Sequence, residues 1–300
     1  MSNEAKPLRS LLFVPGNKED WMRKAPRYKA DALIFDLEDA VPAASRPETR
    51  KIVRRVTEEL GAQGQTIFVR VNGMDTGETG DDIEAVVCKE LHGIFLPKVR
   101  GPEDVIGVSA LLDHFERRNG VPVGHTLVDP LLETARAANM VYEVASASPR
   151  VAYMGGGTAK DGDGARAIGY EWTPQGLETL FARSRALSAA RAAEVPFPIS
   201  GLWTPIQDLD GLRAFAVQTR QLGYHGMMAI YPGHIPIINE VFSPSPEDIA
   251  HWKHVIVSMA EAEAAGTTAI VGGDGHLIDT AHVKTAHDRL ELARSWGLTD

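Results

Sequence analysis

Short apolar runs alternate with longer amphipathic stretches along most of the chain. Each short run is rich in β-branched and aromatic residues, and each longer stretch repeats its apolar positions at helical spacing. This alternation predicts about eight units of one strand followed by one helix. The predicted strands are residues 11–15, 32–37, 66–71, 93–99, 125–128, 151–154, 199–203 and 225–231. The predicted helices are residues 20–29, 47–61, 81–91, 103–119, 131–146, 174–194, 209–222 and 234–242.

Eight parallel strands with covering helices predict a (β/α)8 TIM barrel. The roughly 240 residues that they occupy match the usual length of that fold, about 250 residues. An open, doubly wound sheet is the alternative, but no Gly-x-Gly-x-x-Gly follows the first strand. We therefore expect residues 1–245 to form a barrel that carries the active site.

The remaining residues exceed what a barrel needs. Two further helices are predicted after Pro246, at residues 247–265 and 280–296, with an irregular stretch at 267–275 between them. We predict that residues 246–300 form a C-terminal helical extension. Such an extension would act as a lid, or as an arm that packs on a neighbouring subunit.

Composition removes several classes of function. The net charge of -9 over 300 residues argues against nucleic acid or an anionic membrane as the main partner. No window approaches the about 18 apolar residues that a membrane span requires, and residues 1–10 lack a signal-peptide core, so a cytoplasmic protein is expected. The single cysteine, Cys88, excludes an internal disulfide and a cysteine zinc site, and we place it in the helix of residues 82–91.

Charged residues stand where several predicted strands end. Glu38 and Asp39 follow the second strand, Glu133 follows the fifth, and Asp161 and Asp163 follow the sixth. The carboxyl ends of barrel strands share one face, where the active sites of TIM barrels lie. This pattern predicts an enzyme with its chemistry on that face.

The acids could converge on a hard divalent cation. Glu133 with Asp161 or Asp163 offers the carboxylate oxygens that magnesium or manganese prefers, and Glu38 and Asp39 could hydrogen-bond metal-bound waters. Each acid also has a structural interpretation. Glu133 could be a helix-start acid, Glu38 and Asp39 could cap a helix, and the two aspartates could be ordinary loop residues.

Two cations and a glycine run add to this picture. Arg70 lies inside an apolar strand and needs an anionic partner, either a substrate carboxylate or a buried ion pair with Asp36 or Glu38. Lys98 ends the fourth strand, where it could form a Schiff base but is more commonly a salt-bridge partner. Gly155 and Gly156 would allow close backbone approach to a substrate.

An ordered set of segments resembles the citrate lyase β-subunit-like branch of the aldolase superfamily, which includes malyl-CoA and citramalyl-CoA lyases. The resemblance extends from about residue 9 to residue 292. The segments that carry it are residues 9–16 (RSLLFVPG), 35–41 (FDLEDAV), 70–73 (RVNG), 96–99 (LPKV) and 133–135 (ETA).

The resemblance implies a TIM barrel that binds magnesium through Glu133 and an aspartate of the loop after strand six. Arg70 would hold the carboxylate or carbonyl of a 2-oxo acid fragment, and Glu38 and Asp39 would hold metal waters. Residues 275–279 (GHLID) resemble the family's Gly-Lys-Met-Ile-Asp signature. Asp279 would then be a catalytic acid/base supplied across a subunit boundary of a homotrimer or hexamer, although it could merely cap the helix that begins at Thr280.

Three departures from the family pattern concern the substrate. Residues 158–162 intervene before Asp163, and matching residues 168–173 to the family's downstream stretch favours Asp163 over Asp161 as the metal ligand. Tyr231 stands where a histidine is usual. His276 replaces the signature lysine, a change that could concern CoA phosphates.

The resemblance therefore implies a magnesium-dependent carbon–carbon lyase, with manganese as a possible substitute. It would cleave or form a carboxylated 3-hydroxyacyl-CoA such as malyl-CoA or citramalyl-CoA, with a 2-oxo acid and an acyl-CoA as the other partners. Two alternatives stay open. One is an aldolase on free 2-oxo or hydroxy acids without CoA, and the other is a citrate-lyase-type subunit that acts on a carrier-bound acyl group.

Overall fold

Eight parallel strands form the framework of the first of two units, Met1–Phe242 and Ser243–Asp300. The computed structural model describes residues 4–272 and 275–300. The strands are β1 Ser10–Pro15, β2 Ala32–Asp36, β3 Thr66–Arg70, β4 Gly93–Leu96, β5 Leu127–Leu132, β6 Gly155–Gly156, β7 Ile199–Ser200 and β8 Gly226–Ala229.

The sheet curls into a barrel. Its ladder runs in the order β6-β5-β4-β3-β2-β1-β8-β7, with every neighbouring pair parallel. The gap between β6 and β7 is bridged by the N–H groups of Phe197 and Ile199, which donate to the carbonyls of Ala152 and Met154 at 3.3 and 3.0 Å. The predicted TIM barrel is confirmed, and the open sheet is excluded.

Helices cover the outside of the barrel, and most lie where the pattern predicts them. Those of the first unit are α1 Glu19–Lys24, α2 Arg46–Ala62, α3 Thr79–Val86, α4 Pro102–Asn119, α5 Ala135–Asn139, α6 Val141–Ala145, α7 Asp163–Ile168, α8 Leu177–Ala192, α9 Leu209–Leu222 and α10 Ile235–Phe242.

The largest correction concerns the fifth unit. The strand predicted at 125–128 is Leu127–Leu132, and the helix predicted to start at 131 starts at Ala135. Leu127 and Leu131 face the barrel interior, whereas Val128 and Leu132 face the covering helices. Because both faces are buried, the sequence shows one continuous apolar run there, which does not distinguish strand from helix.

Cys88 is also placed differently from its prediction. Helix α3 ends at Val86, so Cys88 lies in the bend that follows rather than in a helix. Its side chain is buried, and burial raises the pKa of the thiol to about 11. A protonated, enclosed thiol is a packing residue, which argues against a catalytic cysteine.

The core has two layers separated by the sheet. Inside the barrel, aromatic rings stack edge to face, with ring centroids 5.3 Å apart for Phe68 with Phe95 and for Phe68 with Tyr153. A larger apolar cluster lies between the strands and the helices. The interior layer closes the barrel from below, so ligands reach only its carboxyl-end mouth.

Gly155 is required where β6 meets β7. A Cβ atom at this position would lie 2.2 Å from the carbonyl oxygen of Ile199. We expect Gly155→Ala to lower the free energy of unfolding by about 2–3 kcal/mol, because the backbone of one strand must move. Gly80→Ala is the matched control, since nothing lies within 4 Å of that Cβ and α3 gains helix propensity. Denaturant unfolding that ranks both variants equally would contradict this packing.

The second unit consists of two helices and a hairpin. These are α11 Pro246–Ala264, β9 Ala269–Val271, β10 Leu277–Asp279 and α12 Thr280–Ser295, with β9 and β10 antiparallel. The sequence predicts the helices but not the hairpin, whose strands have three residues each. Val255, Met259, Ile278 and Ala286 form its small core. Among the described residues of the chain, no helix is long and apolar enough to cross a membrane.

Candidate active site

The charged residues predicted from the strand ends do converge at the barrel mouth. The ladder places Asp36 beside Arg70, and Arg70 beside Phe95. Inward-facing positions alternate along each strand, so Arg70 follows Phe68 and Glu133 follows Leu131 on the inner face. Neighbouring strands therefore present their last inward residues to the same space.

Arg70 is held by a buried carboxylate pair. Its Nε and Nη2 atoms donate to the two oxygens of Asp36, both at 2.7 Å, and Nη1 lies 2.9 Å from Glu38 Oε2 without hydrogen-bond geometry. Burial opposes the charge, but the bonds to Asp36 outweigh it and raise the pKa of Arg70. The ion-pair interpretation of Arg70 is therefore realised, and the fork that could grip a substrate carboxylate is largely occupied.

The loop after β2 is fixed by backbone contacts as well. Asp36 also accepts from the N–H groups of Glu38 and Ala40, at 3.0 and 3.1 Å. Asn72 donates from Nδ2 to the carbonyl of Leu37 at 3.1 Å. The segment of Arg70 and Asn72 therefore bonds directly to the segment of Asp36 and Leu37, and the two loops hold each other in place.

Lys98 lies at the centre of the acids. Its Nζ is 2.7 Å from Glu38 Oε1, 3.0 Å from Asp39 Oδ1 and 3.5 Å from Asp163 Oδ2. Burial opposes its charge, but the bonds to Glu38 and Asp39 raise the pKa of Lys98 above its ordinary value. A Schiff-base lysine needs the opposite shift, so the geometry favours the salt-bridge interpretation.

The backbone of Lys98 takes part too. Its φ of 52° lies in the left-handed region, which is costly for a residue with a side chain. Its N–H donates to Glu133 Oε2 at 3.1 Å. Sequence reasoning considered only the side chain of Lys98, because no residue pattern marks a left-handed lysine.

Burial disfavours the charged forms of Glu38 and Glu133. Glu38 is 4% exposed, and burial raises its pKa to about 7 against the opposing effect of Arg70. Burial also raises the pKa of Glu133, with Arg70 opposing and Asp163 adding to the rise. A divalent cation bound nearby would lower the pKa of both groups, because it stabilises their charged forms.

The loop after β6 brings Asp163, rather than Asp161, to this cluster. Asp163 begins α7, lies beside Lys98 and pairs with Arg166 Nη2 at 2.5 Å. Asp161 is exposed at a φ of 57°. A Cβ on Gly157 would lie 3.3 Å from Glu133 Cγ, so the loop passes directly over that side chain.

The residues fit a divalent cation by their charge. Five carboxyl groups face three cations, so the acids outnumber the cations by two, and a divalent cation would favour the ionised forms of Glu38 and Glu133. The ligand atoms are carboxylate oxygens, as hard divalent ions such as magnesium prefer. The carboxylates are those of Asp36, Glu38, Asp39, Glu133 and Asp163, and the cations are Arg70, Lys98 and Arg166.

Asp129 is a further buried acid, which the sequence analysis did not consider. It faces the barrel interior in β5, two inward positions before Glu133. Burial raises its pKa to about 8, and Glu133 acts in the same direction. Asp129 is therefore mostly neutral at pH 7 and does not belong to the charge count of the mouth.

Two hollows of the barrel unit have Phe13 as a common lining residue. The smaller, about 40 Å³, is lined by Glu133 and Gly156 and shares Phe13 with a larger one of about 520 Å³. Gly155, in contrast, packs against β7 and does not line either hollow. The wall of the larger hollow carries Trp21, Lys24, Arg27, Tyr28 and Tyr231.

These wall residues escaped the sequence analysis, apart from Tyr231. A signal was present, because Trp21, Lys24 and Arg27 recur every third residue along α1 and the turn after it. Side chains at that spacing share one face of a helix. The face alone does not reveal that it lines this hollow.

Asp279 lies in the second unit, at the start of α12. Its carboxylate accepts from the N–H of Ala281 at 2.9 Å, and Oδ1 is 2.8 Å from His282 Nδ1. The contact with His282 is the main cause that lowers the pKa of Asp279. The capping geometry is thus present, and the Asp279 side chain is 48% exposed.

Comparison with known proteins agrees with the fold and the motifs. The family model for HpcH/HpaI aldolase/citrate lyase matches residues 9–232. The chain is 34% identical over 295 residues to a (3S)-malyl-CoA thioesterase of Cereibacter sphaeroides, covering 98% of each protein. It is 31% identical over 300 residues to citrate lyase subunit beta of Leuconostoc mesenteroides subsp. cremoris, covering 97% of that protein.

A solved structure of similar fold is the citrate lyase beta subunit of Mycobacterium tuberculosis, complexed with oxaloacetate and magnesium. Its sequence identity is 25% and its TM-score 0.64, over 81% of this chain and 99% of that one. The chain belongs to the HpcH/HpaI aldolase/citrate lyase family, which confirms the resemblance. It is accordingly an enzyme of the lyase or CoA-ester-acting class.

Proposed function

We propose that this enzyme is a magnesium-dependent carbon–carbon lyase for carboxylated 3-hydroxyacyl-CoA substrates such as malyl-CoA or citramalyl-CoA. The products would be a 2-oxo acid and an acyl-CoA. The observation that carries the proposal is the cluster at the barrel mouth, in which five carboxyl groups, Glu133 and Asp163 among them, face three cations. The relatives named for citrate lyase and malyl-CoA support the substrate class.

Glu133 and Asp163 are the residues proposed to hold the ion, and Glu38 and Asp39 its waters. When bound, magnesium would polarise the oxygen of the 2-oxo acid fragment as a Lewis acid. Lys98 has a positioning role here, because its ammonium group links Glu38, Asp39 and Asp163 and its N–H holds Glu133. We expect the activity to depend on magnesium, and manganese to be able to replace it.

The reaction requires the bond between C2 and C3 of the hydroxyacyl group to break. The C3 hydroxyl loses its proton and becomes a carbonyl, while the bonding electrons form an enolate at the thioester. C2 then takes up a proton. Arg70, whose position is fixed by Asp36, would stabilise the C3 oxygen, which becomes negative when its proton leaves.

Asp279 is proposed to shuttle the proton, accepting it from the C3 hydroxyl and returning it to C2. Its carboxylate is exposed at the start of α12, so it could reach a site in a neighbouring subunit. This role requires an oligomer, and a homotrimer or hexamer is proposed. Isolated monomers would then be inactive.

The larger hollow is proposed to take the CoA portion. Lys24 and Arg27 supply positive charge for phosphates, and Trp21, Tyr28 and Tyr231 supply flat apolar surface for an adenine ring. Arg27 is already ordered, since its Nη2 donates to Tyr28 Oη at 2.6 Å. The hollow shares Phe13 with the space beside Glu133, so a thioester could extend from one to the other.

Hydrolysis of the thioester is a second candidate, because a relative at 34% identity is named a (3S)-malyl-CoA thioesterase. The same site would bind the substrate, but water would attack the thioester carbon and release malate and CoA. Aldol cleavage of free acids and action on a carrier-bound acyl group remain the further alternatives.

Product analysis separates these activities. We expect the purified chain with magnesium to release glyoxylate and acetyl-CoA from malyl-CoA, or pyruvate and acetyl-CoA from citramalyl-CoA. Malate and free CoA as the only products would replace the lyase by the thioesterase. Turnover of the free hydroxy acid alone, or of a carrier-bound substrate alone, would favour the remaining alternatives.

A further inference from the structure

The second unit contains a concave pocket that the proposed lyase reaction does not use. The pocket has a volume of about 310 Å³ and lies between α11, β10 and α12. Its polar wall consists of His251, His276, His282, Thr285 and Arg289. Its apolar wall consists of Trp252, Val255, Leu277, Ile278, Ala281 and Ala286.

The charge of this wall is one-sided. Three imidazoles and one guanidinium line the pocket, whereas its lining within residues 4–272 and 275–300 contains no aspartate or glutamate. Arg289 stacks on Trp252 with its Cζ 5.4 Å from the ring centre. Arg289 makes no ion pair with the described residues, so its donors stay available to a ligand.

The first turn of α12 adds to the positive potential. Ala281 and His282 belong to this turn of a 16-residue helix, and both line the pocket. Asp279 offsets part of that potential by capping the helix. Asp279 itself does not line the pocket, so the guanidinium of Arg289 is the charged group that faces the ligand space.

We propose that this pocket binds a small molecule that carries a phosphate group on an apolar or aromatic body. A phosphate offers several oxygens to donors that approach from different walls, as Arg289 on α12 and His251 on α11 do here. The apolar side chains of Val255, Leu277 and Ile278 would pack on the remainder of the ligand. This inference does not require the lyase reaction, although His282 of the lining also bonds Asp279, the proposed proton carrier.

Phenyl phosphate is a suitable probe, titrated calorimetrically into the full chain. We expect saturable binding that is weakened at least about tenfold by Arg289→Gln, since a charged hydrogen bond is lost. Benzoate, which has the same ring but a single carboxylate, should bind at least about tenfold more weakly than phenyl phosphate. Arg294→Gln is the matched control, because Arg294 is an exposed arginine of α12 that bonds the Asp300 carbonyl outside the pocket.

Two further variants test whether the ligand binds in this pocket and not elsewhere on the protein. His251→Gln changes the opposite wall on α11 and should also weaken binding, which covers the case in which Arg289→Gln does not fold. Arg27→Gln alters the larger hollow of the barrel unit and should leave binding unchanged. The proposal is overturned if binding is lost in Arg27→Gln, if it is unchanged in both Arg289→Gln and His251→Gln, or if none is measurable up to about 10 mM ligand.

Discussion

Glu133→Gln is expected to abolish metal-dependent turnover and to weaken divalent-cation binding by more than about 100-fold. Removing even an indirect partner of a metal ligand commonly costs about 10–100-fold, so loss of a proposed ligand should cost more. The amide keeps the size of the side chain and can still accept from the N–H of Lys98, 3.1 Å from Oε2. The effect should therefore reflect lost charge rather than lost packing.

Manganese binding followed by electron paramagnetic resonance measures this directly, without any assumption about the substrate. Glu143→Gln is the matched control, since Glu143 is an exposed acid of α6. Equal manganese affinity in the two variants would remove Glu133 from the metal site. Product release can then be measured on the same preparations.

Asp36→Asn is expected to lower the free energy of unfolding by about 3 kcal/mol, because it leaves the charge of Arg70 without its main buried partner. Asp36 is 2% exposed and holds Nε and Nη2 of Arg70 at 2.7 Å. An asparagine offers one oxygen where the carboxylate offers two. Turnover should fall as well, since Arg70 and the loop at Glu38 lose their common anchor.

Asp31→Asn is the control that separates the loss of stability from the loss of turnover. Asp31 holds Arg9 through a similar pair of bonds, at 2.9 and 2.7 Å, just before β2 begins. That ion pair is at the amino ends of the strands, away from the mouth, so the change should affect stability with little effect on turnover. If denaturant unfolding and turnover respond alike in both variants, Arg70 has no special role at the site.

Much of the candidate site was readable from residue types at strand ends. Glu38 and Glu133 each follow an apolar run and Arg70 lies near the end of one, and a parallel barrel brings such positions to one face. The partners within the site were less readable. Arg70 could bond a substrate, Asp36 or Glu38, and only the ladder register that sets Asp36 beside Arg70 decides between them.

Local geometry was the least predictable part. The left-handed backbone of Lys98 and the choice of Asp163 over Asp161 depend on how the loop after β6 folds over Glu133. Neither depends on periodicity, which is the signal that a sequence carries most strongly. The short hairpin of β9 and β10 escaped prediction for the same reason, since three residues show no period.

The sequence by itself determined the eight-unit barrel, the two-helix extension and the acids placed at the strand ends. These follow from repeated hydrophobic patterns, because strands and helices must pack their apolar faces against each other and few architectures allow this. Tertiary structure alone decided which cation meets which acid, which hollow opens beside Glu133, and where the cationic pocket of the second unit lies. Those features depend on contacts between residues far apart in the chain, and distances of that kind are set by packing rather than by local pattern.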